Sequence, residues 1–437
     1  MLPSFRQNRL MNPLYTTYKL LGSGMFFTGF PFFWAYTRLS GRYRQGLEER
    51  LGSIPLGPVR ALKGSPRIWI HAASLGEVKV SIPIIEALRR DIPGCSVMLS
   101  TMTEHGRALA VESVDQEVPI FFAPVDTPFT VRRALTRAAP DVMAFLETEI
   151  WPVWLTEAHR KGIKTAMING RISVRAIGRY LRIRPLFREV LKCVDAFSMI
   201  LEEDAHRIRA MGAAEDKISV NGNAKYDLLA GMAHPEAEQE VRRILNVQPS
   251  QKVLIAGSTR EGEEVMILDA YEKIRLQFPD TILIIAPRHP ARTLEIESLL
   301  HSRGLRYHLR SELDRRREPV VIVNTFGELF NLYSVGTIIF CGASMVPLGG
   351  QNPLEAAIWG KIVFYGPSME DFLDAKAMLE SVDAGIPVSG PESLAEKAIW
   401  FLNHPDELKK RGLRAREALM RHQGAAGKHA GVIAQLL

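Results

Sequence analysis

Residues 67–90 read RIWIHAASLGEVKVSIPIIEALRR, and three different patterns follow one another in them. Arg67–His71 is a short apolar run, Ala72–Gly76 is a turn of small residues, and Val78–Arg90 places apolar residues at helical spacing. That is a strand, a turn and a helix. The same unit recurs on both sides. Further strands are predicted at Ser96–Thr101, Ile120–Ala123, Val142–Leu146, Lys164–Ile168 and Ala196–Ile200, with helical patterns such as Trp151–Lys161 between them. Short apolar strands alternating with amphipathic helices predict a parallel sheet covered by helices on both faces.

The alternation stops over Asn221–Glu240 (NGNAKYDLLAGMAHPEAEQE), which reads as a hinge, and resumes after Lys252. There the runs are VLIAG (253–257), a helix from about Glu261, then TILIIA (281–286), VVIVN (320–324), TIIFCG (337–342) and IVFYG (362–366). The expected architecture is therefore α/β with two Rossmann-like domains. The expected divisions are residues 1–40 as an N-terminal membrane anchor, 41–228 as the first domain, 229–404 as the second, and 405–437 as basic C-terminal helices. A chain of 437 residues suits two or three domains.

Three well-separated cysteines (Cys95, Cys193, Cys341) form no C-x-x-C pair, so neither a disulfide framework nor a thiolate zinc site is expected. The net charge of +7 favours an anionic partner and does not choose among nucleic acid, membrane surface and phosphorylated substrate. Leu20–Tyr36 (LLGSGMFFTGFPFFWAY) carries no charge and is flanked by Lys19 and Arg38. Its seventeen residues sit at the lower limit for a helical span, with Gly22, Gly24, Gly29 and Pro31 weakening a regular helix. Arg38, Arg42, Arg44, Arg50 and Arg60 follow, suited to anionic headgroups. The segment is expected to associate with a membrane, crossing it or lying in its surface; a buried helix of the first domain is the plainer alternative.

Open α/β sheets bind ligands beyond the carboxyl ends of their strands, and unusual polar residues collect there. Glu77 opens the helix after the first strand, where it suits a general base; an acid favoured by the helix dipole explains it equally. Glu147 and Glu149 follow strand VMAFL, and alternation along an extended segment would put both on one side. Arg171, in NGRIS, offers a fork for a carboxylate or phosphate. Gly257-Ser258-Thr259 precedes a helix and suits a phosphate cradle, though it is neither G-x-G-x-x-G nor a P-loop. Arg288 and His289 sit in a loop stiffened by Pro287 and Pro290. Gly327 and Glu328 follow another strand. Gly349-Gly350-Gln351-Asn352-Pro353-Leu354-Glu355 reads as a helix start, with Glu355 placed for ribose hydroxyls. No histidine or carboxylate set has metal-ligand spacing.

Together these segments resemble the Kdo (3-deoxy-D-manno-octulosonic acid) transferases of lipopolysaccharide synthesis. The matching stretches are IWIHAASLGEVKVSIPII, FLETEIWP, NGRIS, GNAKYD, GSTREGEE, APRHPAR, NTFGEL and GGQNPLEAA followed by YGPSMEDF, in the family's order. The resemblance implies a GT-B glycosyltransferase, two Rossmann-like domains facing across a cleft, that moves Kdo from CMP-Kdo to lipid A precursor (lipid IVA) with inversion. It implies no cofactor, no metal and no nucleic acid, and action at the cytoplasmic face of the bacterial inner membrane. It assigns Glu77 as base and Glu147, Glu149, Arg171 and Lys225 to the acceptor side. Gly257, Ser258, Arg288, His289, Gly327, Glu328, Asn352 and Glu355 fall to the CMP-Kdo side. Gln351 departs from the family, which commonly has histidine there. The alternative is another GT-B nucleotide-sugar enzyme, a UDP-sugar transferase or epimerase. A dinucleotide oxidoreductase lacks its glycine fingerprint.

Overall fold

In the computed structural model, which describes residues 13–40 and 46–437, the opening segment forms strand β1 (Arg67–His71) and the helix Leu75–Asp91. Ile68, Trp69 and Ile70 are all fully buried, which is why β1 reads as a continuous apolar run rather than an alternating one. Ser74 ends the turn in an extended conformation and caps the helix by accepting the N–H of Glu77.

The chain divides into two compact units, one running to Leu228 and taking in Gly424–Leu437, the other spanning Leu229–Gln423. The first holds β1, β2 (Ser96–Thr101), β3 (Ile120–Phe122), β4 (Val142–Leu146), β5 (Lys164–Gly170), β6 (Ala196–Met199) and β7 (Ile218–Val220). All are parallel, in the order β3-β2-β1-β4-β5-β6-β7. Winding reverses between β1 and β4, so the crevice for a ligand lies past His71 and Leu146. One face of the sheet is covered by an aromatic core including Trp69, Phe121, Phe145, Trp154 and Phe197. The other carries Ile68, Ile70, Val97, Leu99 and Ile168, against which Ala426, Ala430 and Ile433 pack.

Those last residues belong to the helix Ala425–Ala434, so the C-terminal region does not act as one piece. The helix Pro405–Met420 stays with the second unit, while Gly424–Leu437 returns to the first. Asp227 anchors the return, its carboxylate accepting the N–H of Gly424 (2.5 Å) and of Ala426 (2.8 Å). The stretch read as a hinge is also largely helical, forming Lys225–Met232 and the start of Pro235–Ile244.

The second unit holds β8 (Val253–Thr259), β9 (Ile282–Pro287), β10 (Tyr307–Leu309), β11 (Val320–Ile322), β12 (Ile338–Cys341), β13 (Val363–Tyr365) and β14 (Gly385–Pro387). They too are all parallel, ordered β10-β11-β9-β8-β12-β13-β14, with the reversal between β8 and β12.

A 28-residue helix, Pro13–Ser40, opens the first unit and contains Gly22, Gly24, Gly29 and Pro31 without ending at them. Tyr15 is buried with its hydroxyl on Thr156, and Tyr18 donates to Asp126 at 3.0 Å, which docks the helix start on the unit. Leu20, Leu21, Met25 and Phe32 are exposed. Among the described residues no helix is long and apolar enough to cross a membrane. Arg42 and Arg44 lie outside the described residues.

Candidate active site

Glu77 stands at the start of its helix, next to the crevice of the first unit. Only 6% of it is exposed. Its Oε2 accepts the N–H of Ala73 (2.9 Å) and its Oε1 the hydroxyl of Ser74 (2.8 Å). Ser74 and Glu77 thus form the S-x-x-E capping pair, and the structural account of Glu77 holds. It does not exhaust the residue. Burial, and then the charges of Glu149 and Glu147, push its carboxyl up to about 7. A helix cap held by dipole alone would be driven the other way. An acid near neutrality beside a crevice is suited to take a proton from a hydroxyl.

The two neighbouring acids come from the turn after β4. Glu147 adopts a left-handed backbone, φ 51°, a conformation that costs a residue with a Cβ about 1 kcal/mol. The segment is consequently not extended, and the two carboxylates go different ways. Glu147 is drawn to Lys225, whose Nζ is 2.9 Å from its Oε1. Glu149 accepts the indole N–H of Trp151 at 2.5 Å and stands 3.8 Å from Nε2 of His71. Both remain close enough to act electrostatically on Glu77. Burial pushes the Glu149 carboxyl upward as well.

Lys225 reaches this place through the end of β5. Asn169, also left-handed at φ 48°, accepts the N–H of Ala224 on its side-chain oxygen at 2.9 Å. His429, on the returning helix, is 2.6 Å from the Ser198 hydroxyl and 3.1 Å from the Gly222 carbonyl oxygen. The segment carrying Lys225 is therefore held from two sides. Arg171 follows β5 with an exposed side chain, and its carbonyl accepts the Thr148 hydroxyl, tying the β5 loop to the β4 turn.

The second unit has its own polar strand ends. Ser258 is left-handed at φ 56°. Gly257 has no room for a side chain: a Cβ there would lie 2.0 Å from the Tyr333 hydroxyl oxygen. The anion at the following helix is the protein's own, because Glu263 accepts the N–H groups of Arg260, Ala343, Ser344 and Met345 at 2.7–3.0 Å. Arg288 and His289 are exposed, and the Arg260 guanidinium lies 2.7 Å from Nε2 of His289. Gly327 is exposed, while Glu328 is paired with Arg310 at 2.6 Å. Asn352 and Glu355 are half-buried. The helix expected after Asn352 is a single turn, Leu354–Ala357, whose first N–H donates to the side-chain Oδ1 of Asn352 at 3.2 Å. One turn carries little dipole, so attraction of a phosphate there rests on individual N–H groups and side chains.

His71, Asn169, Glu263 and His429 carry much of this geometry, and none is assigned a role by the sequence, although Asn169 lies in NGRIS and Glu263 in GSTREGEE. His71 ends an apolar strand, and Glu263 looks like any acid in a first helical turn.

The family described as 3-deoxy-D-manno-octulosonic-acid transferase (kdotransferase) matches residues 45–228. The 3-deoxy-D-manno-octulosonic acid transferase of Haemophilus influenzae is 29% identical over 393 residues, 88% of this chain and 90% of that protein. In fold, a UDP-GlcNAc 2-epimerase from Neisseria meningitidis aligns with a TM-score of 0.60 at 15% identity, covering 85% of this chain and 99% of the other. A glycosyltransferase from Rickettsia africae aligns with a TM-score of 0.59 at 16% identity, covering 85% and 98%. Those two likenesses show the fold, a pair of parallel-sheet α/β domains. The family match falls on the unit that holds Glu77, Glu147 and Glu149, and the Haemophilus relative is matched along most of its length, so this chain is similar to Kdo transferases over most of its residues.

Proposed function

We propose that this chain is a Kdo transferase of lipopolysaccharide synthesis, taking Kdo from CMP-Kdo and passing it to lipid A precursor in one inverting displacement. Glu77 carries the reading, as a buried acid near neutrality at the switch point of the first unit. It takes the proton of an acceptor sugar hydroxyl as that oxygen attacks the anomeric carbon of Kdo. The bond to the CMP phosphate breaks and CMP leaves. Lys225 and Arg171 are the acceptor-side cations, and Glu147 and Glu149 set the charge that keeps Glu77 basic. On the donor side, Arg288 and the loops at Gly257, Ser258, His289, Gly327, Glu328, Asn352 and Glu355 hold CMP and offset the charge that develops on its phosphate. Gln351 there supplies a hydrogen bond and no charge.

The exposed apolar residues of the helix Pro13–Ser40, next to Lys19 and Arg38, suit a membrane surface bearing the acceptor lipid, the cytoplasmic face of the inner membrane. The test is CMP release from CMP-Kdo by the purified chain in EDTA, with and without lipid A precursor. Acceptor-dependent release together with a heavier lipid product supports the reading. Turnover of a UDP-sugar in its place would favour an epimerase-like or UDP-sugar activity, in keeping with the fold likeness.

A further inference from the structure

His71 closes β1 beneath the acidic cluster and is 1% exposed. Its ring packs against Trp154 (centroids 5.1 Å apart) and edge-on to Phe145 (6.1 Å). Nδ1 lies 3.0 Å from the Ser100 hydroxyl oxygen, which also accepts the Trp69 indole N–H at 2.8 Å. Nε2 is buried without a hydrogen bond, and 3.8 Å from it stands Oε2 of Glu149. A buried ring nitrogen left unpaired is costly, so its position against a carboxylate calls for an explanation.

Indole can only donate, so the Ser100 oxygen accepts there and has its own proton to offer Nδ1. With that proton given to Nδ1, the ring proton is on Nε2, facing Glu149. Burial pushes the imidazole down to about 4, so near neutrality the ring presents this proton as a neutral donor and not as a counter-charge. The geometry points to His71 as a positioning residue: the Trp69–Ser100 relay fixes its Nε2–H tautomer, and that N–H orients Glu149 and keeps it ionised beside Glu77. The consequence for Glu77 rests on its role as base. Among the described residues, other charged or titratable groups around the cluster are Glu147 with Lys225, Tyr180 from the helix Val174–Arg182, and Asp126, which accepts the N–H groups of Val153 and Trp154 behind the ring.

Without the Nε2–H, Glu149 keeps its proton to higher pH, repels charge on Glu77 less, and Glu77 ionises at lower pH. His71→Phe is therefore expected to move the acid limb of kcat/KM downward by about half a pH unit or more, with kcat reduced. His71→Gln, whose Nε2 falls near the imidazole Nε2, is expected to restore the limb; His71→Asn, which reaches only as far as Nδ1, is not. A folded His71→Phe with an unmoved limb overturns the proposal. Nitrogen chemical shifts of the 15N-histidine-labelled wild type provide a test that needs no active variant. Nδ1 should be the unprotonated nitrogen at pH 7, and Glu149→Gln should move the Nε2–H signal. A proton on Nδ1, or a signal indifferent to Glu149→Gln, also overturns it. Full turnover by Glu77→Gln would instead remove the base and leave the tautomer result standing.

Discussion

Nζ of Lys225 is 2.9 Å from Oε1 of Glu147, two residues separated by 78 positions and brought together at the carboxyl edge of one sheet. The pair is partly open to solvent, with side-chain exposures of 38% and 23%, so it contributes at most about 1 kcal/mol to stability. Its effect is on the charge Glu77 feels. Lys225→Met leaves Glu147 uncompensated and should raise the acid limb of kcat/KM. Glu147→Gln removes a repelling charge and should lower it. Both variants should melt within a few degrees of wild type and lose activity. Equal limbs in all three proteins would disconnect the pair from Glu77.

Glu77→Gln should lower turnover by about 10²–10⁴-fold, the usual contribution of general base catalysis, while CMP-Kdo binding measured by calorimetry is kept. Its stability should move the opposite way. The folded carboxyl is raised to about 7 from an ordinary 4.5, so between those values the folded state holds more protons than the unfolded one, and stability falls as pH rises. Gln is free of that penalty. The variant should melt higher than wild type at pH 8, by on the order of 2 kcal/mol, with the advantage fading toward pH 5. A lower melting temperature at pH 8 would mean that the Ala73 and Ser74 bonds outweigh desolvation.

The strands that were legible in the sequence are the buried ones. β1, β2 and β4 lie inside the sheet and read as apolar runs. β7, β10 and β14 are three-residue edge strands, partly open to solvent, and leave no such run. In the site, Glu147 and Glu149 stood out because two acids after an apolar strand are unusual. Their divergence did not, since the left-handed turn at Glu147 is a tertiary choice secured by Lys225. The return of Gly424–Leu437 to the first unit was equally hidden: the apolar face of that helix shows that it is covered, not by what.

His429 makes the first unit sensitive to acid. Burial pushes it down to about 4 from 6.5, and His71 likewise. A group with a depressed folded value is neutral in the fold, so its share of stability is intact above 6.5 and is lost as pH falls toward 4. Charging of the two histidines should therefore take stability from the wild type between pH 7 and pH 5, against the opposite contributions of Glu77 and Asp126 over the same range. His429→Asn should be less stable at pH 7, because its bonds to Ser198 and Gly222 are altered, yet lose less between the two values. The slope that remains belongs partly to His71. An unchanged slope in His429→Asn would show that this histidine is not charged on unfolding.

Glu263 decides whether the loop after β12 keeps its shape. Its Oε2 takes the N–H groups of Arg260 and Ala343, and its Oε1 those of Ser344 and Met345. Burial pushes the carboxyl upward while these four donors pull it down. Glu263→Gln keeps the shape and one acceptor oxygen, but turns an NH2 toward two N–H groups that have lost their partner. Two buried donors orphaned in this way cost about 2–4 kcal/mol. The same loop begins at the reversal between β8 and β12, where a ligand of this sheet would sit. Glu263→Gln should therefore lower the urea midpoint and weaken CMP binding together, while Glu263→Ala, which orphans all four donors, should do both more severely. If CMP binds Glu263→Gln as tightly as wild type despite the lost stability, the loop after β12 lies outside the nucleotide site, and the donor side must be built from the Arg288 and Ser258 loops alone.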